Sequence, residues 1–522
     1  MGRQTLTRTH LSARWKDFVD ELDRRRGEIS SALDTTSRAA LGQFFTPRSV
    51  AEFMASMFAV QGKKEISLLD PGAGIGSLSI AVIAELANRP EPPKRICATL
   101  YEIDFGLARL LERTMQVCAS LCVEFGIALE FQVLRQDFIE AATMACALPF
   151  ARMPKTDFDC VILNPPYRKI NGDSDARKML SGAGIEVSNL YAGFLALAAR
   201  LLKQDGELVA ITPRSFCNGP YFRAFRRDFF SRMALRRIHV YESRSEAFRD
   251  DGVLQENLVF HAIKTHSRSD AVIISRSLSP LDPNLRIWPV PYRDVIHPHD
   301  PDMVVHVIAD DAGRKAADIA GQLGSTLQDL RLTVSTGRVV DFRARRFLRP
   351  TCGTETVPLI YPFNLEAGRV IWPKPHPRKP TAITNEEATA DLLVPSETYV
   401  VVKRFTAKEE RRRLVAALYD PNQVCCPVVG FENHLNYFHM DGRGLPLPLA
   451  RGLTAFLNST FADAYFRNLS GHTQVNAQDL RRLKYPCQEQ LLLIADKVGE
   501  DLADLMAVDR AVEEALDLAY SI

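Results

Sequence analysis

No stretch of this 522-residue chain approaches the roughly 20 consecutive apolar residues of a membrane span, so a transmembrane protein is not expected. The opening segment, MGRQTLTRTHLSARWKDF, has no apolar h-region, which argues against a secretory signal, and MGRQTL fits a myristoylation pattern only loosely. Paired CxxC knuckles are missing. The ten cysteines are scattered, with Cys118 and Cys122 one helical turn apart and Cys425 beside Cys426. They read as small buried hydrophobes in a reducing cytoplasm, and no metal is expected. Neither sign of charge dominates: 65 Lys and Arg against 63 Asp and Glu leave +2. What matters is therefore whether the positive charge is gathered in one place. No internal repeat or low-complexity tract is evident, which excludes solenoids, and no PD…ExK cluster marks a nuclease centre.

What is present is the composition of a folded protein, 46% hydrophobic and 25% charged, long enough for two or three domains. Helical periodicity over 11–40 and in RSVAEFMASMFAV precedes a run of alternating elements. EISLLD, ICATLYEID, LEFQVLRQDF, DFDCVIL and, after a helix and a turn at Gly206, ELVAITP read as strands, with LRRIHVYE and ENLVFHAIK to follow. Strands alternating with helices predict an α/β fold, a doubly wound, Rossmann-like and largely parallel sheet. After about residue 265 the alternation decays into short β-rich pieces, prolines and arginines, and the last 35 or so residues are helical again. The expected division is an N-terminal helical segment (1–40), a catalytic domain (41–290) and a C-terminal mixed α+β domain (291–522).

LLDPGAGIG places Gly72, Gly74 and Gly76 between the first strand and its helix, where backbone can approach a ligand closely. A glycine loop alone is weak evidence, but Asp70 precedes it by two residues. An acid there repels a phosphate and attracts a cation, which suits S-adenosylmethionine, with its ammonium and sulfonium, better than a dinucleotide. Glu102, with Ile103 beside it, ends the second strand and can accept two ribose hydroxyls. Asp137 ends the third and can take an adenine amino group, with Phe138 against the ring. Any one of these acids is as readily a helix cap. Three at successive strand ends point to the crevice where such sheets bind ligands.

The fourth strand ends in Asn164-Pro165-Pro166-Tyr167. Two prolines fix the backbone and hold carbonyls rigidly outward. A rigid carbonyl beside the Asn164 amide oxygen makes two acceptors matched to the two hydrogens of an exocyclic amino group. Engaging both localises the nitrogen lone pair, and Tyr167 offers a ring face for stacking a base.

The order GQFFTP, DPGAGIG, YEID, QDF, NPPY resembles that of the gamma-class, TaqI/PstI-like DNA N6-adenine methyltransferases of restriction–modification systems. The resemblance covers about 40–265 and extends into the C-terminal region. It implies transfer from S-adenosylmethionine, yielding S-adenosylhomocysteine, to an adenine flipped out of double-stranded DNA. It also implies that Phe44 and Thr46 close over the methionine end of the cofactor, and that Phe248 is a second aromatic against the flipped base. The C-terminal domain becomes the target-recognition domain. Three basic runs there suggest a phosphate-tracking surface: Arg338, Arg343, Arg345, Arg346 and Arg349; Lys374, Arg378 and Lys379; Lys403, Arg404 and Arg411–Arg413. In LNSTFADAYFRNLSGHTQVNAQDLRRLKYP, His472, Gln474 and Asn476 are candidates to reach DNA, although Gln474 and Asn476 can equally hold a turn. The expected setting is a cytoplasmic, nucleoid-associated monomer with a separate cognate endonuclease as a further partner. Rival readings are a methyltransferase for a protein glutamine or an RNA amino group, and a catalytically silent DNA-specificity protein.

Overall fold

The computed structural model of the protein describes residues 13–32, 45–147, 157–241, 257–280, 282, 284–308, 310–406, 412–424, 426–470 and 474–517. The chain divides into two compact units, Met1–Ala309 and Asp310–Ile522. Among the described residues no helix is long and apolar enough to cross a membrane.

The first unit opens with α1 (Ala13–Ala32), whose Trp15 is buried edge-on against Phe18 and Phe125, and α2 (Arg48–Ala55), which buries Val50, Ala51, Met54 and Ala55 on one face. The alternating part follows: β1 (Glu65–Asp70), α3 (Ser77–Ala87), β2 (Arg95–Tyr101), α4 (Phe105–Cys122), β3 (Ala128–Leu134), α5 (Phe138–Ala147) and β4 (Phe158–Leu163). Then come α6 (Asp175–Gly182), α7 (Leu190–Leu201), β5 (Leu202–Pro213), α8 (Arg223–Arg232), β6 (Met233–Tyr241), β7 (Asn257–Lys264), β8 (Ala271–Ser277) and β9 (Arg286–Pro291). The described strands form one sheet in the order β3-β2-β1-β4-β5-β7-β6-β8-β9. β1 to β5 are parallel, and β7 runs antiparallel to both of its neighbours. The order reverses between β1 and β4, and such a reversal opens a crevice at the carboxyl ends of the strands.

Central strands covered on both faces are largely apolar, and FDCVIL in β4 is buried throughout. Its one acid, Asp159, is buried and fully engaged: Lys63 at 2.7 Å, Lys203 at 2.9 Å, and the Ser67 hydroxyl and N–H at 2.6 and 2.9 Å. Two expectations need correction. Gly206 makes no turn; it lies inside a continuous β5, where the β4–β5 register shifts between Phe158 and Cys160. Asp205 there has φ of 61°, and a Cβ on Gly206 would stand 2.9 Å from the Phe158 carbonyl oxygen. The sheet also runs on past residue 265 through β8 and β9. Pro289 and Pro291 disguise β9 in the sequence, and its edge position is what lets a strand hold them.

The second unit is mixed α+β. A six-stranded sheet takes Thr333–Thr336, Leu435–His439, Tyr399–Lys403, Ala416–Tyr419, Arg369–Val370 and Leu365–Glu366 in that order. A five-stranded one takes Leu348–Arg349, Ala382–Thr384, Thr356–Ile360, Val428–Phe431 and Leu393–Pro395. Tyr399, Tyr419, Phe431 and Tyr437 interlock as its aromatic core, and the helices Leu447–Asn458, Gln488–Val498 and Leu505–Ala515 follow.

Candidate active site

A cavity of about 240 Å³ lies at the carboxyl ends of β1, β2 and β4, and Gln136 and Asp137, beyond β3, complete that wall. Gly72 and Gly74 form part of it. Gly74 and Gly76 have φ of 56° and 95°, a conformation that lets the chain turn tightly from β1 into α3. Glu102 is nearly buried. Its Oε2 accepts the Gly74 N–H at 2.9 Å and its Oε1 the Asp104 N–H at 2.8 Å, so the loop and the carboxylate orient one another. Burial pushes the Glu102 carboxyl up. Asp137 Oδ1 caps α5 through the Ile139 N–H at 2.7 Å. Phe138 is buried against Tyr101 at 5.3 Å and Phe194 at 5.1 Å, while Ile103 is 64% exposed at the cavity mouth.

Asn164 and Pro166 line the same cavity, joining the fourth strand to the glycine loop. The Asn164 amide is held at both ends. Its Nδ2 donates to Thr46 Oγ1 at 3.0 Å, and its Oδ1 accepts the Tyr167 hydroxyl at 2.9 Å. The same hydroxyl lies 3.3 Å from the Ile211 carbonyl.

Several residues differ from their expected places. Asp70 is 0% exposed and is not on the cavity wall. It braces the loop from beneath, accepting the Ser79 hydroxyl at 2.6 Å, and burial raises its pKa to about 7. The Ser79 hydroxyl and the Gly72 N–H oppose that rise. Tyr167 is likewise absent from the wall; its half-buried ring meets Tyr191 edge-on at 6.3 Å, and its hydroxyl steadies Asn164. Thr46 is buried and reaches Asn164, not the cavity wall. Phe44, Phe248, Arg411 and His472 lie outside the described residues. Phe45, which the resemblance offers as second to Phe44, is on the wall, and so is Phe194, which the sequence does not mark. Phe194 sits in an apolar helix with no polar neighbour to mark it; Phe45 is adjacent to the expected Phe44.

In the second unit, Arg338, Arg343, Arg345, Arg346 and Arg349 are exposed. The third basic run is not a solvent-facing track. Arg413 is buried and its Nε reaches Thr406 Oγ1 at 3.1 Å; Arg412 ties to the Asn458 carbonyl, Thr460 and Asp509; and half-buried Arg404 donates to the Asn433 carbonyl. Lys403 is half-buried in its strand, and half-buried Gln474 makes a β-bridge to Phe405. Asn476 caps the helix Ala477–Arg482 in a reciprocal box with Asp479, so the turn-holding alternative is the one realised.

Over 498 residues the chain is 42% identical to the type II methyltransferase M.PstI of Providencia stuartii, covering 95% of this chain and 97% of that one. The chain belongs to the type II DNA methyltransferases of restriction–modification systems. M.BsuBI of Bacillus subtilis is 39% identical over 96% of this chain and 98% of its own length. The family model described as Eco57I restriction-modification methylase matches residues 128–248, a span that includes β4 and Asn164-Pro165-Pro166-Tyr167. Among solved structures, that of the type IIL restriction-modification enzyme MmeI in complex with DNA resembles the fold, with a TM-score of 0.51 at 12% identity, over 97% of this chain and 74% of that one. The methyltransferase thus gathers Gly72, Gly74, Glu102, Asp137, Asn164 and Pro166 around one cavity, with Asp70 and Tyr167 behind its wall.

Proposed function

We propose that this methyltransferase moves a methyl group from S-adenosylmethionine to the N6 amino group of an adenine extruded from double-stranded DNA. The observation that carries the reading is the single cavity shared by Gly72, Glu102, Asp137, Asn164 and Pro166. The donor set suits that cofactor. Glu102 is held by Gly74 and Asp104 with lone pairs left for ribose hydroxyls, and Asp137 has an oxygen beyond its capping bond for an adenine amino group. Phe138, Ile103 and Phe194 offer an apolar slot for the purine, and the acids disfavour a pyrophosphate. When bound, S-adenosylmethionine supplies an electrophilic methyl group on a positively charged sulfur.

The chain's own part is positioning and electrostatics. Thr46 and Tyr167 fix the Asn164 amide, and its Oδ1 is the acceptor offered to one target N–H. A carbonyl of the proline pair accepts the other hydrogen, and the nitrogen lone pair is left to face the cofactor side of the cavity. The extra proton leaves to water after transfer, so no strong base is required. Extrusion costs a few kcal/mol, and aromatic stacking returns about 1–3 kcal/mol per base, the role read for Tyr167 and Phe248.

Expression in a methylation-free host, followed by modification-sensitive genome sequencing, tests this directly. A discrete motif bearing N6-methyladenine is the expected result. Methyl groups found only on cytosine, RNA or protein would refute it.

A further inference from the structure

Within the first basic run of the second unit one acid, Asp341, is held by a lysine of the second run. Asp341 Oδ2 pairs with Lys379 at 2.5 Å, and its Oδ1 accepts the Tyr361 hydroxyl at 2.9 Å. Lys379 also lies over the Tyr361 ring at 5.3 Å. The short helix Asp341–Ala344 is therefore pinned at its first residue, while Ala344 and the preceding Val339 are buried beneath it. On that mount stands Phe342, with 77% of its surface in water. Exposed arginines surround it in the chain: Arg338, Arg343, Arg345 and Arg346, with the Arg343 guanidinium 5.5 Å from the Phe342 ring centre.

At this position the Phe342 ring forgoes the apolar burial that a phenyl group gains in a core. The cations around it discourage packing against an ordinary protein surface and suit a polyanion. Arginines on either side of it in the chain are placed to hold phosphates, and the exposed ring stands between them. Proteins that deform duplex DNA use apolar side chains as wedges between base steps in this way.

We infer that Phe342 is a wedge that enters the DNA base stack while Arg343 and Arg345 hold the flanking phosphates. The inference rests on the reading of the second unit as DNA-binding and extends it from phosphate binding to deformation of the duplex. It assigns an apolar residue to recognition where the sequence pointed only to charge.

The test uses the full chain and a short duplex carrying the mapped methylation motif, with 2-aminopurine placed in turn at each position apart from the target adenine. The wild type should raise the fluorescence at one step, reporting unstacking there. F342A should abolish that signal and weaken binding about tenfold, within the range expected for removing a single base–aromatic stack. Its slope of log affinity against log salt should be unchanged, because every phosphate keeps its arginine. F342W should restore both signal and affinity. Since the ring is exposed, thermal unfolding of F342A should match the wild type. An unaltered fluorescence profile in F342A, or affinity within twofold of wild type, overturns the wedge. R343Q with R345Q reads the underlying assumption separately: the salt slope should fall by about 0.9 for each phosphate no longer neutralised. If it does not fall, this face is not the DNA surface, and the fault lies there and not with the ring alone.

Discussion

In the proposed mechanism Asn164 is the residue on which the reaction turns, and its two hydrogen-bonded neighbours are as informative as the amide itself. Replacing Asn164 with Ala should lower kcat by on the order of 10²–10³-fold, the effect of deleting one preorganised polar group, while calorimetry finds cofactor affinity within a few-fold of wild type. Thr46→Val removes the acceptor for Nδ2. It should depress kcat more than KM for the cofactor, and Thr46→Ser should restore the rate. A Thr46 that served only to bind the cofactor would show the opposite split. Asp70 carries a pH signature. Its carboxyl titrates near 7 in the folded protein against 3.8 as the ordinary value, so the folded state holds the proton longer than the unfolded chain. The resulting stability is complete below about pH 4 and fades as pH rises through 7. Asp70→Asn stays neutral, so its melting temperature should gain on wild type between pH 5 and pH 8, as differential scanning calorimetry can follow.

At the scale of elements, β4 and its flanks are fixed from both ends, by the Asp159 cluster at the start and the Asn-Pro-Pro-Tyr turn at the finish. Asp159 is held well below the usual carboxylate range by Lys63, Ser67 and Lys203 against the opposing pull of burial. Asp159→Ala leaves the buried Ser67 hydroxyl and N–H without this acceptor. The cost should be about 1–3 kcal/mol of unfolding free energy in denaturant titration. The strand-and-loop order was legible in the sequence because parallel core strands are largely apolar runs with glycines or acids at their ends. The acids were legible only as positions. Glu102 and Asp137 line the cavity, but Asp70 points beneath the loop, because side-chain direction at a strand end depends on Ser79 in the next helix. Tyr167 and Thr46 show the same limit: the motif names them, and only folding reveals that both hydroxyls serve the amide. Phe194 had no signal at all, since an apolar residue in an apolar helix reads as core until a cavity opens beside it.

On the proposed reading the whole molecule separates chemistry from addressing along the chain. The first unit holds all of the cavity lining, so residues 1–309 alone should bind S-adenosylmethionine by calorimetry, yet show no preference for the methylated motif over scrambled DNA. A shortened chain that still selected the motif would move recognition out of the second unit. Charge runs proved the least transparent part of the sequence. The arginines from 338 to 349 are exposed, whereas Lys374 and Lys379 are held in ion pairs and the arginines at 412 and 413 are spent on internal ties, and nothing in their spacing distinguishes the cases. The closing strand of the large sheet has a bearing on the life of the chain before it ever meets DNA. At positions 289 and 291 its border offers no N–H to a newcomer, so sister molecules emerging from neighbouring ribosomes find little there to zip onto, and this edge of the nine-stranded sheet is guarded against sticking to its own copies.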